Sequence, residues 1–371
     1  MILQMVIAHN DDLLTAIFIY LPPKSLIRFQ LVCKHWLSLI SSDYLSHQHT
    51  LHYRHRQKPE HSLLLVSEKL SNYFYLHINQ KLLNQKLISY HFSPSLIEQT
   101  VVSFSNGLFL LKCPNIKNLL EECHIYNPTT KQSRKIVLNV NERYTFVVGL
   151  NLAFDPSKSP HYKIVCVRST RRRSTSFIRC WWRFCRIEVY ESETNAWRIS
   201  GEPFWAPTDV DFNRGVYLNG CVHWAGMFFH LDDSIVGDHP KIEVPGGTRF
   251  EEFYVSYAES CGYLHYIAHF PKRNSIMVFE LESDYSEWSL KYRVDHNSFS
   301  GLMSVLDFVR EEKEEDSALV LHEPGKVKAY ELKEEKSREL VDFRDEAFYE
   351  EGCVQFVSNG TFRFVETLAR V

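Results

Sequence analysis

The sequence predicts an α+β multidomain chain, in which a small N-terminal unit of three helices precedes an all-β propeller of about six blades. Three observations favour this fold class. Apolar residues follow helical spacing in residues 9–47, and short strand-like runs fill the chain from about residue 61 onward. Those runs also repeat at intervals typical of propeller blades.

The helical unit is predicted from three runs of apolar residues. Asp11 and Asp12 precede the first run, where a helix N-terminus favours acidic side chains. Pro22 and Pro23 end the first helix, and a proline can open the next one. Each run puts apolar side chains on one helix face: Leu13, Leu14, Ile17, Phe18 and Leu21; then Leu26, Phe29 and Cys33; then Trp36, Leu37 and Ile40.

A segment as short as residues 9–47 cannot bury this much apolar surface in a core of its own. Apolar surface that a segment leaves open is usually covered by a neighbour. We therefore interpret the helical unit as half of a protein–protein interface. The alternative is a helical cap that packs on the following domain of the same chain.

From about residue 61 the sequence consists of short runs rich in Val, Ile, Tyr and Phe, separated by turn-forming residues. Examples are SLLLVS, YFYLHI, LFLLK, YKIVCV, CVHWAG and IMVFEL. No long helical pattern alternates with them, so a parallel α/β sheet is not expected. The runs predict an all-β domain.

Two series of residues repeat along the β part. Glycines precede strand-like runs at Gly107, Gly149, Gly220, Gly262, Gly301 and Gly352. A strand that ends in an aromatic residue before a polar turn recurs at Tyr126, Tyr190, Phe279 and Tyr330. A period of roughly 40–50 residues built from short strands is typical of propeller blades.

Six units fit the glycine series, five or seven blades remain open, and a β-sandwich is the alternative fold. The long interval between Gly149 and Gly220 predicts an insertion within one blade. Because a ring of blades must close, the early runs SLLLVS and YFYLHI are candidates to complete the last blade.

The composition is that of an intracellular chain without a bias toward nucleic acid or membranes. Lys and Arg number 42 against 45 Asp and Glu, a net charge of −3. No apolar run is long enough for a membrane-spanning helix, and the initial MILQMVIA lacks the basic residues of a signal peptide. The 9 cysteines are scattered, which favours reduced thiols. The predicted location is cytoplasmic and/or nuclear.

A cluster of arginine and aromatic residues lies inside the long interval. Arg171, Arg172, Arg173, Trp181 and Trp182 are candidate substrate-binding residues. Arginine side chains beside aromatic rings can bind carboxylate groups, phosphate groups or nucleic acid. The near-neutral charge of the whole chain argues against nucleic acid. The alternative is a solvated hairpin whose arginine stems cover the rings.

Neither a metal, a cofactor nor a catalytic residue is predicted. Residues 48–60 are polar and rich in histidine, and we interpret them as a linker. Imidazoles suit zinc or copper, but no Cys or carboxylate pair completes a recognisable ligand spacing. No G-x-S-x-G, H-E-x-x-H, Walker-type or G-x-G-x-x-G sequence occurs.

Three ordered runs carry a resemblance to a known family: Leu21-Pro22-Pro23-Lys24-Ser25-Leu26-Ile27-Arg28-Phe29, Val32-Cys33-Lys34-His35-Trp36 and Leu39-Ile40. They resemble the F-box of plant F-box proteins, although Asn10-Asp11-Asp12-Leu13 stands where many F-boxes have a leading Leu-Pro. The resemblance implies docking on the Skp-type adaptor of a cullin–RING ubiquitin ligase. The implied adaptor-binding residues are Leu13, Leu14, Ile17, Leu21, Pro22, Leu26, Phe29, Val32, Cys33 and Trp36.

The β part resembles the kelch-like F-box-associated region of the same family. Four stretches carry this resemblance: Tyr126-Asn127-Pro128-Thr129-Thr130-Lys131, Phe154-Asp155-Pro156, Tyr190-Glu191-Ser192-Glu193-Thr194 and Asn219-Gly220-Cys221-Val222-His223-Trp224. It covers most of residues 100–300 and fades after about residue 310.

The sequence thus divides into an F-box at 9–47, a linker at 48–60 and a β-propeller-like substrate-binding domain at 61–371. The resemblance implies the substrate-recognition subunit of an SCF-type ligase, without enzymatic activity of its own. Such a subunit bridges the Skp-type adaptor, and through it the cullin and RING protein, to a protein substrate that the sequence does not identify. Two other functions stay open: a ligase-independent binding propeller with a degenerate F-box, and a propeller enzyme with an active site in its central channel.

Overall fold

The structure is a computed structural model of the 371-residue chain. It describes residues 10–56, 62–67, 72–77, 88–91, 99–112, 122–138, 146–170, 182–243, 253–295, 303–310, 316–344 and 356–371. Four of the five predicted substrate-binding residues lie outside the described residues: Arg171, Arg172, Arg173 and Trp181.

Residues 10–56, which we call the helical unit, contain four helices: α1 Asp11–Phe18, α2 Pro23–Phe29, α3 Lys34–Ile40 and α4 Asp43–Arg56. The prediction of three helices is wrong by one, because α4 continues into the polar stretch interpreted as a linker at 48–60. The sequence of α4, DYLSHQHTLHYRHR, has too few apolar residues to produce a helical stripe. Two of its side chains, Leu45 and His49, are nevertheless buried against the other helices.

The helices begin where the local chemistry satisfies their first backbone N–H groups. The side-chain oxygen of Asn10 accepts a hydrogen bond from the Leu13 N–H at 3.0 Å, so Asn10 caps α1. Pro23 opens α2, where a missing N–H costs nothing. The Cys33 sulfur accepts from the Trp36 N–H at 3.4 Å and caps α3.

The helical unit has a small core in which every helix takes part. Its fully buried residues are Leu14, Phe18, Leu26, Ile40 and Leu45. The Phe18 and Trp36 rings meet edge to face with centroids 5.1 Å apart, which joins α1 to α3. His49 donates to the Leu21 carbonyl at 2.7 Å, which fixes α4 against the turn after α1. Burial lowers the pKa of His49.

The β part forms six four-stranded antiparallel sheets among the described residues, one for each blade of a propeller. Blade 1 consists of β24 (Phe356–Arg363), β1 (Ser62–Ser67), β2 (Asn72–His77) and β3 (Ile88–His91). Blade 2 consists of β4 (Thr100–Ser105), β5 (Leu108–Lys112), β6 (Glu122–Asn127) and β7 (Gln132–Val137). Blade 3 consists of β8 (Phe146–Ala153), β9 (Lys163–Ser169), β10 (Trp182–Glu191) and β11 (Ala196–Pro207).

Blade 4 consists of β12 (Val216–Leu218), β13 (Cys221–Trp224), β14 (Met227–His230) and β15 (Ile235–Asp238). Blade 5 consists of β16 (Tyr254–Ser260), β17 (Tyr263–Phe270), β18 (Ser275–Leu281) and β19 (Trp288–Asp295). Blade 6 consists of β20 (Ser304–Val309), β21 (Ala318–Glu323), β22 (Lys326–Glu331) and β23 (Lys336–Asp342). The predicted fold class, short helices followed by an all-β propeller, is confirmed.

Blade 1 closes the ring, because it combines strands from both ends of the β part. The last strand, β24, pairs antiparallel with β1, and Leu63 lies opposite Arg363. The early strands therefore share a sheet with the last strand, as the sequence predicts. The first strands of the blades, from β24 through β20, β16, β12 and β8 to β4, contact one another in succession, so they surround the axis of the ring.

Antiparallel strands give the ring two faces. The helical face carries the turns that join first to second and third to fourth strands within a blade, and the far face carries the remaining connections. Asn106, in the turn between β4 and β5, and Pro156, between β8 and β9, line a small cleft together with His49 and Thr50 of α4. The helical unit therefore lies on the helical face.

The aromatic repeat is placed as the sequence predicts. All four residues lie on the third strand of their blades. Tyr126, Tyr190 and Tyr330 each lie one residue before the end of the strand, and Phe279 lies two residues before it. Each of these side chains is less than 5% exposed, so the repeated aromatic residues pack inside the propeller.

Of the four glycines in the series that the structure describes, three directly precede a strand. Gly107, Gly220 and Gly262 lie in turns between first and second strands with positive φ, which glycine adopts without a steric cost. Gly149 instead lies inside β8, so its interpretation as a strand start is wrong. The long interval to Gly220 therefore runs from one blade's first strand to the next blade's turn, and β10 and β11 are also the longest strands described. Gly301 and Gly352 lie outside the described residues.

A buried histidine pair in blade 4 predicts acid sensitivity. Nδ1 of His223 and Nε2 of His239 are 3.0 Å apart. Burial lowers the pKa of His223 to about 3 and that of His239 to about 4, below the ordinary value of 6.5. Both are neutral in the folded chain and become protonated more easily when it unfolds. Their contribution to stability is complete above pH 6.5 and is lost as the pH falls toward the folded values.

We therefore expect the free energy of unfolding to fall below pH 6.5 by roughly 1 kcal/mol per pH unit for each of the two histidines. Urea unfolding at pH 7 and pH 5 measures this slope. His239→Phe fits the aromatic surroundings of Phe228 and Trp288 and should give a shallower slope. His161→Gln, at an exposed position, is the control, and an unchanged slope in His239→Phe contradicts the assignment.

Candidate interaction surfaces

The helical unit exposes more apolar surface than its size accounts for. Seven of the sixteen exposed large apolar side chains of the described residues lie in residues 10–56. Scattered exposed apolar residues are normal, whereas a concentration of them indicates an interaction site. We call five of them together the apolar helical surface; they lie on α1, on the turn between α2 and α3, and on α3: Leu13, Ile17, Leu31, Val32 and Leu37.

The structure divides the predicted adaptor-binding residues into three groups. Leu13, Ile17 and Val32 are exposed by 41%, 45% and 60%, and Pro22 and Cys33 are also exposed. Leu21, Phe29 and Trp36 are half-buried. Leu14 and Leu26 are 2% and 0% exposed and belong to the core of the helical unit. These two side chains pack beneath the exposed residues in the free chain.

Two members of the apolar helical surface are absent from the predicted adaptor-binding residues. Leu31 is 88% exposed in the turn between α2 and α3, and Leu37 is 45% exposed on α3. Leu31 lies outside the helical stripes, so periodicity gave no signal for it. A large apolar residue between two predicted helices was the available signal.

Two contacts fix the helices that carry this surface. Besides the contact of the Phe18 and Trp36 rings, Nε2 of His35 on α3 lies 2.9 Å from a carboxylate oxygen of Asp11 on α1. Both partners of this pair are well exposed, so it adds little stability. It does hold the first turns of α1 and α3 side by side.

A second surface lies on the far face of blade 3. The strands β10 and β11 pair beyond the point where β9 ends, so Trp182, Arg183 and Phe184 belong to a two-stranded ribbon. Trp182 and Trp205 are 55% and 62% exposed, and the Phe184 and Trp205 rings are 5.0 Å apart. Of the predicted substrate-binding residues, Trp182 is the one within the described residues.

Two arginines of the same region have structural contacts instead. Arg168 and Glu188 form a buried ion pair with Nε and a carboxylate oxygen 2.9 Å apart. The guanidinium of Arg183 lies over the Phe212 ring, 4.6 Å from its centroid, and donates to the Val210 carbonyl. Arg183 thereby holds the ribbon against the segment that follows β11, whereas Arg168 joins β9 to β10 within the blade, and both side chains are buried.

Within the described residues, no group of three or more His, Cys, Asp or Glu side chains is placed to hold a metal ion. The α4 histidines His47, His49 and His52, whose side chains the structure describes, do not form such a group. None of the described helices combines the length and the apolar character needed to cross a membrane.

Comparison with known proteins finds similarity in both parts of the chain. The F-box-like family profile matches residues 11–52, and that of the F-box associated beta propeller domain matches residues 60–234. The second match begins and ends earlier than the stretch that the sequence motifs indicated. The first match extends into α4, which agrees with a fourth helix in the same unit.

Curated relatives agree with these profiles. The F-box protein At5g07610 of Arabidopsis thaliana is 29% identical over 99% of this chain and 93% of its own length. The F-box/kelch-repeat protein At2g43270 of the same plant is 26% identical over 57% of this chain and 95% of its own length. Among solved structures, a protein from Lactobacillus plantarum covers 76% of this chain and 82% of its own at 8% identity and a TM-score of 0.42, which carries no functional argument.

Proposed function

We propose that this chain, which resembles plant F-box proteins in both its helical and its β part, is the substrate-recognition subunit of an SCF-type cullin–RING ubiquitin ligase. The observation that carries the proposal is the apolar helical surface on a unit that matches the F-box-like family. In this proposal the surface binds a Skp-type adaptor, which connects the chain to the cullin and the RING protein.

The two faces of the ring suit the two tasks of such a subunit. The helical unit lies on the helical face, which leaves the far face open for a protein substrate. Trp182 and Trp205 offer exposed aromatic anchors there, and Arg171, Arg172, Arg173 and Trp181 belong to the same connection between β9 and β10. Large aromatic and arginine side chains are the usual anchors of protein interfaces.

In this proposal the chain performs no chemistry of its own. It holds a substrate near the ubiquitin-carrying enzyme and so raises the effective concentration of the acceptor lysine at the reactive thioester. The rate of ubiquitin transfer then depends on the distance and the angle between the adaptor surface and the substrate surface. A stiff connection between the helical unit and the propeller would therefore favour transfer.

Co-purification with a Skp-type adaptor tests the proposal. We expect the wild-type full-length chain and the adaptor to elute as one species in size-exclusion chromatography. Addition of the cullin and RING protein should then shift this species to a larger complex. The adaptor's integrity is checked with an F-box protein known to bind it.

Absence of a complex with a competent adaptor overturns the proposal. It would favour the ligase-independent binding propeller with a degenerate F-box, since the start Asn10-Asp11-Asp12-Leu13 and the residues Ala16, Phe18 and Tyr20 depart from the family pattern.

A further inference from the structure

Residues 364–371, which we call the strap, connect the propeller with the helical unit. The strap leaves the end of β24, the innermost strand of blade 1, and continues along the helical face. It has no regular secondary structure, yet Phe364, Thr367, Leu368 and Ala369 are each less than 10% exposed. An irregular segment that is buried this far must have specific partners for its backbone groups.

Blade 2 supplies those partners through one side chain. Nδ2 of Asn127 donates to the Thr367 carbonyl at 3.1 Å and to the Ala369 carbonyl at 2.7 Å. Its Oδ1 accepts from the Thr129 N–H at 2.8 Å. Because carbonyls only accept and backbone N–H groups only donate, the orientation of this amide is unambiguous. Asn127 is itself fully buried, so loss of a donor there would leave carbonyls without partners.

The strap also lies directly on the turn between β4 and β5. A Cβ atom on Gly107 would lie 2.4 Å from the Val365 carbonyl oxygen and 2.5 Å from Cγ2 of Thr367. Any side chain at Gly107 would push the strap off the blade. The close approach and the Asn127 bonds fix the strap along two consecutive turns of blade 2.

The other side of the strap enters the helical unit. Leu368 is 6% exposed and belongs to the same core as Leu14, Phe18 and Leu26. Two ion pairs flank it: Lys24 with Glu366 at 2.5 Å and Asp43 with Arg370 at 3.4 Å. The exposed ion pairs contribute little energy, and burial of Leu368 contributes most of the attachment.

The position of Asn127 at the end of the third strand varies among the blades: blade 4 has His230 there and blade 5 has Leu281, whereas two blades have a glutamate. Glu191 of blade 3 and Glu331 of blade 6 occupy the same register position at the end of the third strand. Each pairs with an arginine on the fourth strand, Arg198 at 2.8 Å and Arg338 at 3.2 Å. These pairs hold one blade's own third and fourth strands together.

Blade 2 retains the arginine of this pattern and lacks the glutamate. Arg134 occupies the register position of Arg198 and Arg338, yet it donates to Oδ1 of Asn195 in blade 3 at 2.6 Å. The side chain of Asn127 bonds instead to the Thr129 N–H of its own turn and to the strap. Its amide donates in a place where a carboxylate would only repel the two strap carbonyls.

We propose that the strap holds the helical unit at a fixed orientation on the propeller and that Asn127 is the positioning residue that locks it. The covalent connection after α4 then needs only to join the two parts. On the basis of the proposed function, the strap sets the geometry between the bound adaptor and the substrate face.

Hydrogen exchange of the full-length chain tests the strap without any partner. Asn127→Asp keeps the shape and the acceptor of the side chain and removes both donors. We expect the amides of α1 to α4 to exchange roughly tenfold faster, because the helical unit opens more often once its lock is weakened. Amides of β9 and β17, in blades 3 and 5, should exchange as in the wild type. Glu191→Gln replaces a carboxylate by an amide at the equivalent position and is the matched control. It should leave the exchange rates of the α1 to α4 amides unchanged.

Two outcomes would contradict the proposed role of the strap. In one, the amides of α1 to α4 exchange at the wild-type rate in Asn127→Asp. In the other, their exchange becomes faster only when the exchange of β9 and β17 does as well. Should the variant unfold blade 2 alone, Leu368→Ala decides, since it keeps Asn127 and removes the anchor in the helices. It must accelerate α1 to α4 and spare β5 and β6. A chain that fails to bind the adaptor defeats the proposed function and leaves these exchange results unaffected.

Discussion

The double substitution Leu13→Asp with Ile17→Asp is expected to abolish co-purification with a Skp-type adaptor while the chain stays folded. Both side chains are more than 40% exposed on the outer side of α1, so their replacement leaves the core intact. In an interface each would put a carboxylate into an apolar contact. Two central anchors at about 2 kcal/mol each correspond to a loss of affinity of roughly a thousandfold.

Ile235→Asp is the matched control for this double variant. Ile235 is 57% exposed at the start of β15, the outer strand of blade 4, and it carries the same change of an exposed isoleucine to aspartate. It should bind the adaptor with wild-type affinity. Circular dichroism confirms that both proteins are folded. Wild-type binding by the double variant would refute the apolar helical surface as the adaptor site.

The choice of Leu13 and Ile17 shows what helical spacing could not decide. The short helices of this unit carry apolar residues on two sides, of which one forms the core and the other is exposed. Periodicity identifies both sides without separating them. The pair Leu21 and Leu26 looks equally suitable in the sequence. Leu26 is fully buried, however, so Leu26→Asp would unfold the helical unit and a lost interaction would then reveal nothing about the interface.

The propeller was more predictable than the helical unit, since its blades repeat the same local pattern. Tyr126, Tyr190, Phe279 and Tyr330 each mark a third strand, and the six sheets follow from short strands separated by turns. The contacts that join the blades to the helices do not repeat. Asn127 and Thr367 are 240 residues apart, and only the closed ring brings them together. The sequence held little signal for this contact, because the position of Asn127 is glutamate in blades 3 and 6 and a different residue in blades 4 and 5.

Gly149→Ala is expected to lower the free energy of unfolding by about 3 kcal/mol, the upper end of the usual cost of overpacking. A Cβ atom at Gly149 would lie 2.3 Å from Cβ of Phe212 and 2.5 Å from the Phe212 carbonyl oxygen. That carbonyl is held in place, because Nδ2 of Asn151 donates to it at 2.9 Å and Nε1 of Trp224 at 3.1 Å. Phe212 cannot move away without breaking both bonds, so β8 or the junction of blades 3 and 4 must shift.

Gly226→Ala separates this steric cost from the conformational cost of losing a glycine. Gly226 has a φ of +78°, and none of the described atoms around it would lie within 4 Å of an added Cβ. An alanine there therefore carries only the cost of the left-handed backbone, which we expect to be about 1 kcal/mol. Urea unfolding measures both variants.

A loss for Gly149→Ala no larger than that for Gly226→Ala would mean that Phe212 yields to the new methyl group, and the steric explanation of the glycine at 149 would be wrong. A clearly larger loss for Gly149→Ala means that glycines recur along this chain for two different reasons. At the turns they allow the backbone to reverse, and in β8 the glycine lets one blade lie against the backbone of the next.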